Sequence, residues 1–319
     1  MISLAPYNNI FHSTNLPDEV TLEDHLYGFD QRLDNKLLAH IDNSATKQNK
    51  RIQVSYHQIL ETGIVDRYKN LDIKFKLSSR IKQLLWQSFV NYSTHPDLSY
   101  KNFVCSFNGS DHVSRKLLTA ILKRFGHYHP DYCSKNFVFT IDKLDGHIRD
   151  YVADQDNFYR KFFIDDTSKE FFDTVNSFGH VQYNHKQNIY NLESKLTQSF
   201  LHIVSETMAT SYVPFVTEKF LYSVVTRGLF LTYAQPGWHH HVEKYYGFKK
   251  YTKLFDYQFD AIQNPVERLV ELMAVISKFS KLSSHDWHDL YLIEQDTIEY
   301  NYDHYFSGKY LEQLSRLEI

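Results

Sequence analysis

Glycine and proline are scarce in this 319-residue chain, at 10 and 7 residues, and cysteine is rarer still, at two. No G-x-G-x-x-G and no G-x-x-x-x-G-K-[ST] occurs, so a dinucleotide oxidoreductase or a P-loop NTPase would lack its usual phosphate cradle. Cys105 and Cys133 are too few for a disulfide framework or a four-thiolate zinc site, and they fit a reducing compartment. No window approaches the roughly 20 apolar residues that span a bilayer, and the opening MISLAPYNNIFHS lacks a basic stretch followed by an apolar one. A cytoplasmic location is the expectation. The formal net charge of −3 gives no long-range reason to bind a polyanion. Neither G-x-S-x-G nor a signature around either cysteine supports a nucleophile triad. Against these shortages stand 24 tyrosines, 24 phenylalanines and 18 histidines, an abundance that reads as base composition of the gene rather than as chemistry.

The chain is longer than most single cores, which favours two domains. The turn-rich STHPDLSYKN at 93–102 is the candidate boundary, giving domains at 1–97 and 98–290 and a helical segment at 291–319. RIQVSYH (51–57) reads as a strand and SSRIKQLLWQSFVN (78–91) as a helix. NFVCSFNG (102–109) reads as a buried strand, and SRKLLTAILKRFG (114–126) as a helix ending at Gly126. Further strands are expected at 135–142, 199–207 and 228–234, and helices at 217–226 and 264–280. After Ser307, Tyr310, Leu311, Leu314 and Leu317 line one stripe of a last helix. Alternating strands and helices predict a parallel sheet, whose ligands bind beyond the carboxyl ends of the strands.

Three loops at such ends carry residues suited to a nucleoside diphosphate. After 102–107 come Asn108 and then Arg115, in the first turn of a helix whose N–H groups already favour an anion. After LHIVS comes Glu206, a carboxylate ending an apolar strand and suited to accept from sugar hydroxyls. In FVTEKFLYSVV, Thr217 is placed to cap a helix, with Glu218 to bind ribose and Lys219 to neutralise phosphate. Each has a plainer alternative. Thr-Glu-Lys serves equally as a helix cap with a dipole-favoured glutamate, and Arg115 as a solvated helix-face charge.

FVTEKFLYSVVTRGLFLTYAQPGW (215–238) resembles the YVTEK signature in the donor-binding half of the α1,3-fucosyltransferases and of related glycosyltransferase-like proteins of phages and large DNA viruses. FVCSFNGSDHVSRKLLTAILKRFG and LHIVSET resemble the same group's strand–loop–helix and glutamate-terminated strand, in the same order and at similar spacing. The resemblance covers roughly residues 100 to 280. It implies an α/β protein of GT-B-like fold, with two Rossmann-like domains facing a central cleft. The 1–97 domain would be the acceptor side and 98–290 the nucleotide-sugar side, with the last segment crossing back to the first domain. The implied activity is inverting, metal-independent transfer of a sugar from a nucleoside-diphosphate donor to a hydroxyl acceptor, with no cofactor beyond the donor as co-substrate. Arg115 and Lys219 would hold the diphosphate, Glu218 the ribose, and Glu206 would lie near the donor sugar. Phe215 stands where the family usually has tyrosine, and Thr207 where it commonly has asparagine.

Such a reaction needs a general base facing the donor, and His12, Asp24, His57 and Glu61 are the candidates, unresolved among themselves. The acceptor class stays open between a glycan, a lipid-linked sugar, a protein and a modified nucleobase. Two other readings stand beside this one. One is a non-catalytic nucleotide- or glycan-binding protein of the same fold, and the other a metal-dependent transferase using Asp154 and Asp156 of DQD. His239, His240 and His241 are adjacent rather than at helical ligand spacing, and read as loop histidines near a ligand cleft. His285 and His288 have helical spacing without an evident third ligand.

Overall fold

Ile52 and Val54 alternate with more polar neighbours, and that alternation becomes a strand with a fully covered apolar face. The computed structural model describes residues 2–3, 16–22, 31–56, 66–76, 88–93, 99–108, 113–135, 185–206, 209, 214 and 216–317. The described chain is mixed α/β with two parallel sheets, as the alternation of elements predicts. In the first, β1 (Ile2–Ser3), β2 (Glu19–Leu22), β3 (Ile52–Tyr56) and β4 (Leu71–Phe75) pair in the order β1-β2-β3-β4. Val20 lies opposite Val54, and Ile52 opposite Leu71. Between β2 and β3 runs α1 (Gln31–Lys47), which adds Leu38, Ile41 and Ala45 to a small core with Leu16, Val20, Ile52, Val54 and Leu71. Their three-and-four spacing places them on one stripe of the helix.

The second sheet holds the larger core. Its strands are β5 (Asn102–Asn108), β6 (Cys133–Lys135), β7 (Ser199–Ser205) and β8 (Leu229–Tyr233), all parallel in the order β6-β5-β7-β8. Every residue of β7 and β8 is buried, as expected of strands covered on both faces. From β5 the chain passes through α2 (Val113–Arg124) to β6 on one side. It returns through α3 (His185–Thr197) to β7 on the other side of β5, and α4 (Leu221–Val225) then leads to β8. The direction of winding therefore reverses between β5 and β7, and the crevice beyond their carboxyl ends is where doubly wound sheets bind ligands.

Gly126 ends α2 in the left-handed region, at φ 72°, and His127 N–H reaches back to Leu122 O at 2.8 Å, a Schellman closure. Beyond β8, α5 (Trp238–His241) runs into a π-helical turn at Val242–Tyr246. α6 (Pro265–Ser277) begins with proline, and the Asn264 side chain accepts from Val266 and Glu267 N–H. α7 (Ser284–Ile293) starts with a capping box between Ser283 and Asp286. α8 (Gln295–Phe306) packs on α4, and α9 (Lys309–Ser315) on the π-turn and α8. α9 buries Tyr310 and Leu314 in the same core as β5, β7 and β8. No helix of the described residues is long and apolar enough to cross a membrane.

Candidate functional site

Glu206 follows β7 directly, and its N–H donates to Tyr233 O at 3.0 Å, extending the β7–β8 ladder by one residue. The switch point thus carries a carboxylate that is fully buried. Buried carboxylates need partners, and Thr217 supplies two. Its N–H donates to Glu206 Oε1 at 3.1 Å and its hydroxyl to Oε2 at 2.6 Å. Lys219 Nζ donates to Thr217 Oγ1 at 2.7 Å and stands 3.6 Å from Glu206 Oε2 and 3.8 Å from Glu218 Oε1. Burial raises the pKa of Glu206, Lys219 and the Thr217 hydroxyl oppose that rise, and Glu218 adds to it.

Arg115 enters from the other side, as the third residue of α2. It is buried, and desolvation lowers its pKa to about 10, while Glu206 and Glu218 hold the charged form in place. It remains a cation at neutral pH, and among the described residues its Nε has no hydrogen-bond partner. Ser114 Oγ donates to Glu206 O at 3.4 Å, tying the start of α2 to the end of β7. Asn108 closes β5 as a buried residue, its Nδ2 donating to Ser106 Oγ at 3.2 Å. Of the two cations expected at successive loop-to-helix corners, Lys219 pairs with Glu206 and Glu218, and the charge of the same two carboxylates acts on Arg115.

The local structure departs from the expected helix start. Thr217 is not a cap: α4 begins only at Leu221, its N-cap is Phe220, and no side chain caps it. Glu218 and Lys219 lie in a turn ahead of the helix, closed by Leu221 N–H to Glu218 O at 3.1 Å. The Thr217 hydroxyl donates its proton to Glu206, a wholly buried carboxylate with no water to turn to, while its oxygen also accepts from Lys219 N–H at 3.4 Å within that turn. Glu206, expected to accept from sugar hydroxyls, has both oxygens engaged within the protein.

His239, His240 and His241 also differ from expectation, since α5 is a helix and not a loop. His239 Nε2 accepts the Thr232 N–H at 3.0 Å, so the ring proton sits on Nδ1 and is donated to Asp260 Oδ1 at 2.9 Å. His239 is a buried structural link between β8 and the turn at Gln258–Ala261. His285 lies at the surface with Asp289 at 3.6 Å, and among the described residues no group of three or more His, Cys, Asp or Glu is placed to hold a metal ion.

His12, Asp24, His57 and Glu61 lie outside the described residues, as do Phe215, Thr207, Asp154 and Asp156. Comparison of the chain with family models, with curated proteins and with solved structures returns no match.

Tyr246, in the π-turn, had no signal in the sequence; burial first, and the charge of Glu206 second, raise its phenol's pKa. A reading based on i, i+4 spacing does not place it there, because a π-turn breaks that spacing.

Proposed function

We propose that this protein is an inverting, metal-independent glycosyltransferase of GT-B architecture, taking a sugar from a nucleoside-diphosphate donor to a hydroxyl acceptor. The observation that supports this reading is that Lys219 pairs with Glu206 and Glu218 at the switch point, and that the charge of the same two carboxylates also acts on the buried Arg115. When the bond from the anomeric carbon to the phosphate oxygen breaks, the departing diphosphate gains negative charge, and two fixed cations stabilise it without reorganising. Glu206 and Glu218 are then released to hydroxyl groups of the donor. The acceptor hydroxyl attacks the opposite face of the anomeric carbon and gives its proton to a general base, for which His12, Asp24, His57 and Glu61 are the candidates.

The test is a thermal-shift screen with UDP, GDP, CDP, ADP, their sugar conjugates and inorganic pyrophosphate, followed by a hydrolysis assay in EDTA. A ligand at a hundredfold its Kd stabilises the native state by about 2.7 kcal/mol. Stabilisation by one nucleoside diphosphate, with donor hydrolysis that survives EDTA and is abolished in Lys219→Ala, is the expected result. Binding without turnover identifies a non-catalytic nucleotide- or glycan-binding protein instead. Loss of turnover in EDTA shifts the assignment to a metal-dependent enzyme and to Asp154 and Asp156. No shift with any of these ligands refutes the reading.

A further inference from the structure

The last two helices carry polar side chains at three- and four-residue spacing, so that each set falls on one face: Tyr300, Asp303 and His304 on α8, and Lys309, Glu312 and Arg316 on α9 and its cap. Gly308, at φ 70°, turns the chain between the two helices. All six of these side chains line one cavity of about 690 Å³, a size within the roughly 300–1,000 Å³ of small-ligand sites.

His304 is the buried member of this wall, at 7% exposed. Its Nε2 lies 2.8 Å from Tyr246 O, and a carbonyl oxygen only accepts, so Nε2 carries the ring proton and Nδ1 is a bare acceptor in the neutral ring. Burial lowers the pKa of this ring, the bond to Tyr246 O opposes that fall, and Lys309 adds to it. Among the described residues Nδ1 has no hydrogen-bond partner. The wall is fixed from behind. Gln313, which also lines the cavity, donates from Nε2 to Lys244 O at 3.1 Å, so both helices are held by main-chain carbonyls of the π-turn. The Tyr300 ring stacks on His304 at 5.6 Å and 10°, with Lys249 Nζ 3.8 Å from the Tyr300 centroid.

Asp303, Lys309, Glu312 and Arg316 are exposed, and among the described residues none of their side chains forms an ion pair. Two charges of each sign thus line the same cavity without neutralising one another. Their sum is zero, so a simple anion or cation would meet as much repulsion as attraction. An apolar ligand would desolvate all four and the imidazole without replacing their hydrogen bonds. A small zwitterion such as glycine serves one anion and one cation and leaves the second pair and Nδ1 unserved. A hydroxyl group both donates and accepts, so a ligand with several of them satisfies carboxylates, cations and imidazole together.

We propose that the cavity between α8 and α9 is a binding site for a neutral oligosaccharide, whose hydroxyl groups donate to Asp303, Glu312 and His304 Nδ1 and accept from Lys309 and Arg316. It shares no residue with the charged cluster after β7 and stands apart from the functional reading above.

Calorimetric titration of the full chain tests it, with maltotriose, cellotriose, mannotriose and triacetylchitotriose as neutral probes and glycine and inorganic phosphate as zwitterionic and anionic ones. At least one trisaccharide is expected to bind wild type more tightly than glycine or phosphate does. Asp303→Ala and Arg316→Ala are each expected to weaken that trisaccharide about tenfold, the worth of one hydrogen bond to a charged group. Both residues are exposed, so the two variants are expected to melt with wild type. Absence of binding by all four trisaccharides overturns the proposal, and so does a trisaccharide whose affinity is indifferent to both substitutions, since it then binds elsewhere. Glycine or phosphate binding more tightly than every trisaccharide, and lost in Arg316→Ala, overturns the oligosaccharide in favour of a charged ligand.

Discussion

Thr217→Val removes one hydroxyl while keeping the shape of the side chain, and that hydroxyl joins the two sides of the charged cluster. It donates to Glu206 Oε2 at 2.6 Å and accepts from Lys219 Nζ at 2.7 Å. A hydrogen bond to a charged group is worth about 1.5–3 kcal/mol. Lys219, whose side chain is 21% exposed, recovers part of its loss from water and by closing the 3.6 Å gap to Glu206. Glu206, at 0%, has no water to draw on. The net cost should be about 2 kcal/mol, equivalent to about 4–8 °C in melting temperature for a unit of roughly 200 residues. Thr217→Ser keeps the hydroxyl and loses one methyl, so it should cost under about 1 kcal/mol.

The pH dependence sharpens this test. The folded-state pKa of Glu206 is raised above 4.5, chiefly by burial. For a carboxylate raised in this way, the stability linked to its protonation is fully present below the unfolded value and is lost as pH rises through the folded one. The Thr217 hydroxyl is among the groups that lower the folded value, so its removal raises that value further. The deficit of Thr217→Val should therefore be largest near neutral pH and shrink as pH falls toward about 4.5. Denaturant midpoints for wild type, Thr217→Val and Thr217→Ser, at about pH 8 and about pH 5, measure it. Equal deficits at the two pH values, or a serine variant as weak as the valine one, would refute the cluster energetics.

Two further substitutions probe the frame around the site. Gly228→Ala would set a Cβ 2.2 Å from His202 Cε1, on a ring whose Nε2 lies 2.9 Å from Leu196 O. The expected loss is about 3 kcal/mol or more, read as soluble yield and melting temperature, with partial rescue in the His202→Ala double variant. Asp260→Asn puts an amide where the carboxylate accepts both from His239 N–H at 3.0 Å and from its ring at 2.9 Å; a fall of about 2 kcal/mol in denaturant-measured stability is expected, and none would show that the His239 tautomer is assigned wrongly.

The second sheet was legible because its strands are buried on both faces and so read as unbroken apolar runs. The stretches 102–109, 199–207 and 228–234 become β5, β7 and β8 within two residues at either end. α2 and α6 were legible for a different reason, since Gly126 and Asn264-Pro265 are local stop and start signals. In the first sheet only β3 was read: β1 and β2 have two and four residues, too few for a period to emerge, whereas β4 has five, as β3 does, and alternates as clearly, so its length does not explain why it was missed. The partners of the site were legible as residues but not as contacts. Thr217 lies 11 residues from Glu206 and His239 lies 21 from Asp260, and both pairings overrule the local propensities that predicted a cap and a loop. Tyr246 depends on a π-turn held by α8 and α9, which no local pattern encodes.

The charge balance of the cluster constrains what it can bind more tightly than the presence of two cations does. Lys219 is paired with Glu206 and Glu218, and the charge of the same two carboxylates acts on Arg115. An anion that merely inserted itself would meet two carboxylates as well as two cations, and the repulsion would offset much of the attraction. Binding becomes favourable when the same ligand gives the carboxylates replacement hydrogen-bond donors, as ribose hydroxyls do and inorganic pyrophosphate does not. Under the proposed function, inorganic pyrophosphate should therefore bind more weakly than a nucleoside diphosphate carrying ribose hydroxyls, despite its higher charge density. In a site of bare cations the order would be reversed. The ranking of pyrophosphate within the ligand screen thus distinguishes a built nucleotide-sugar site from a simple anion hole.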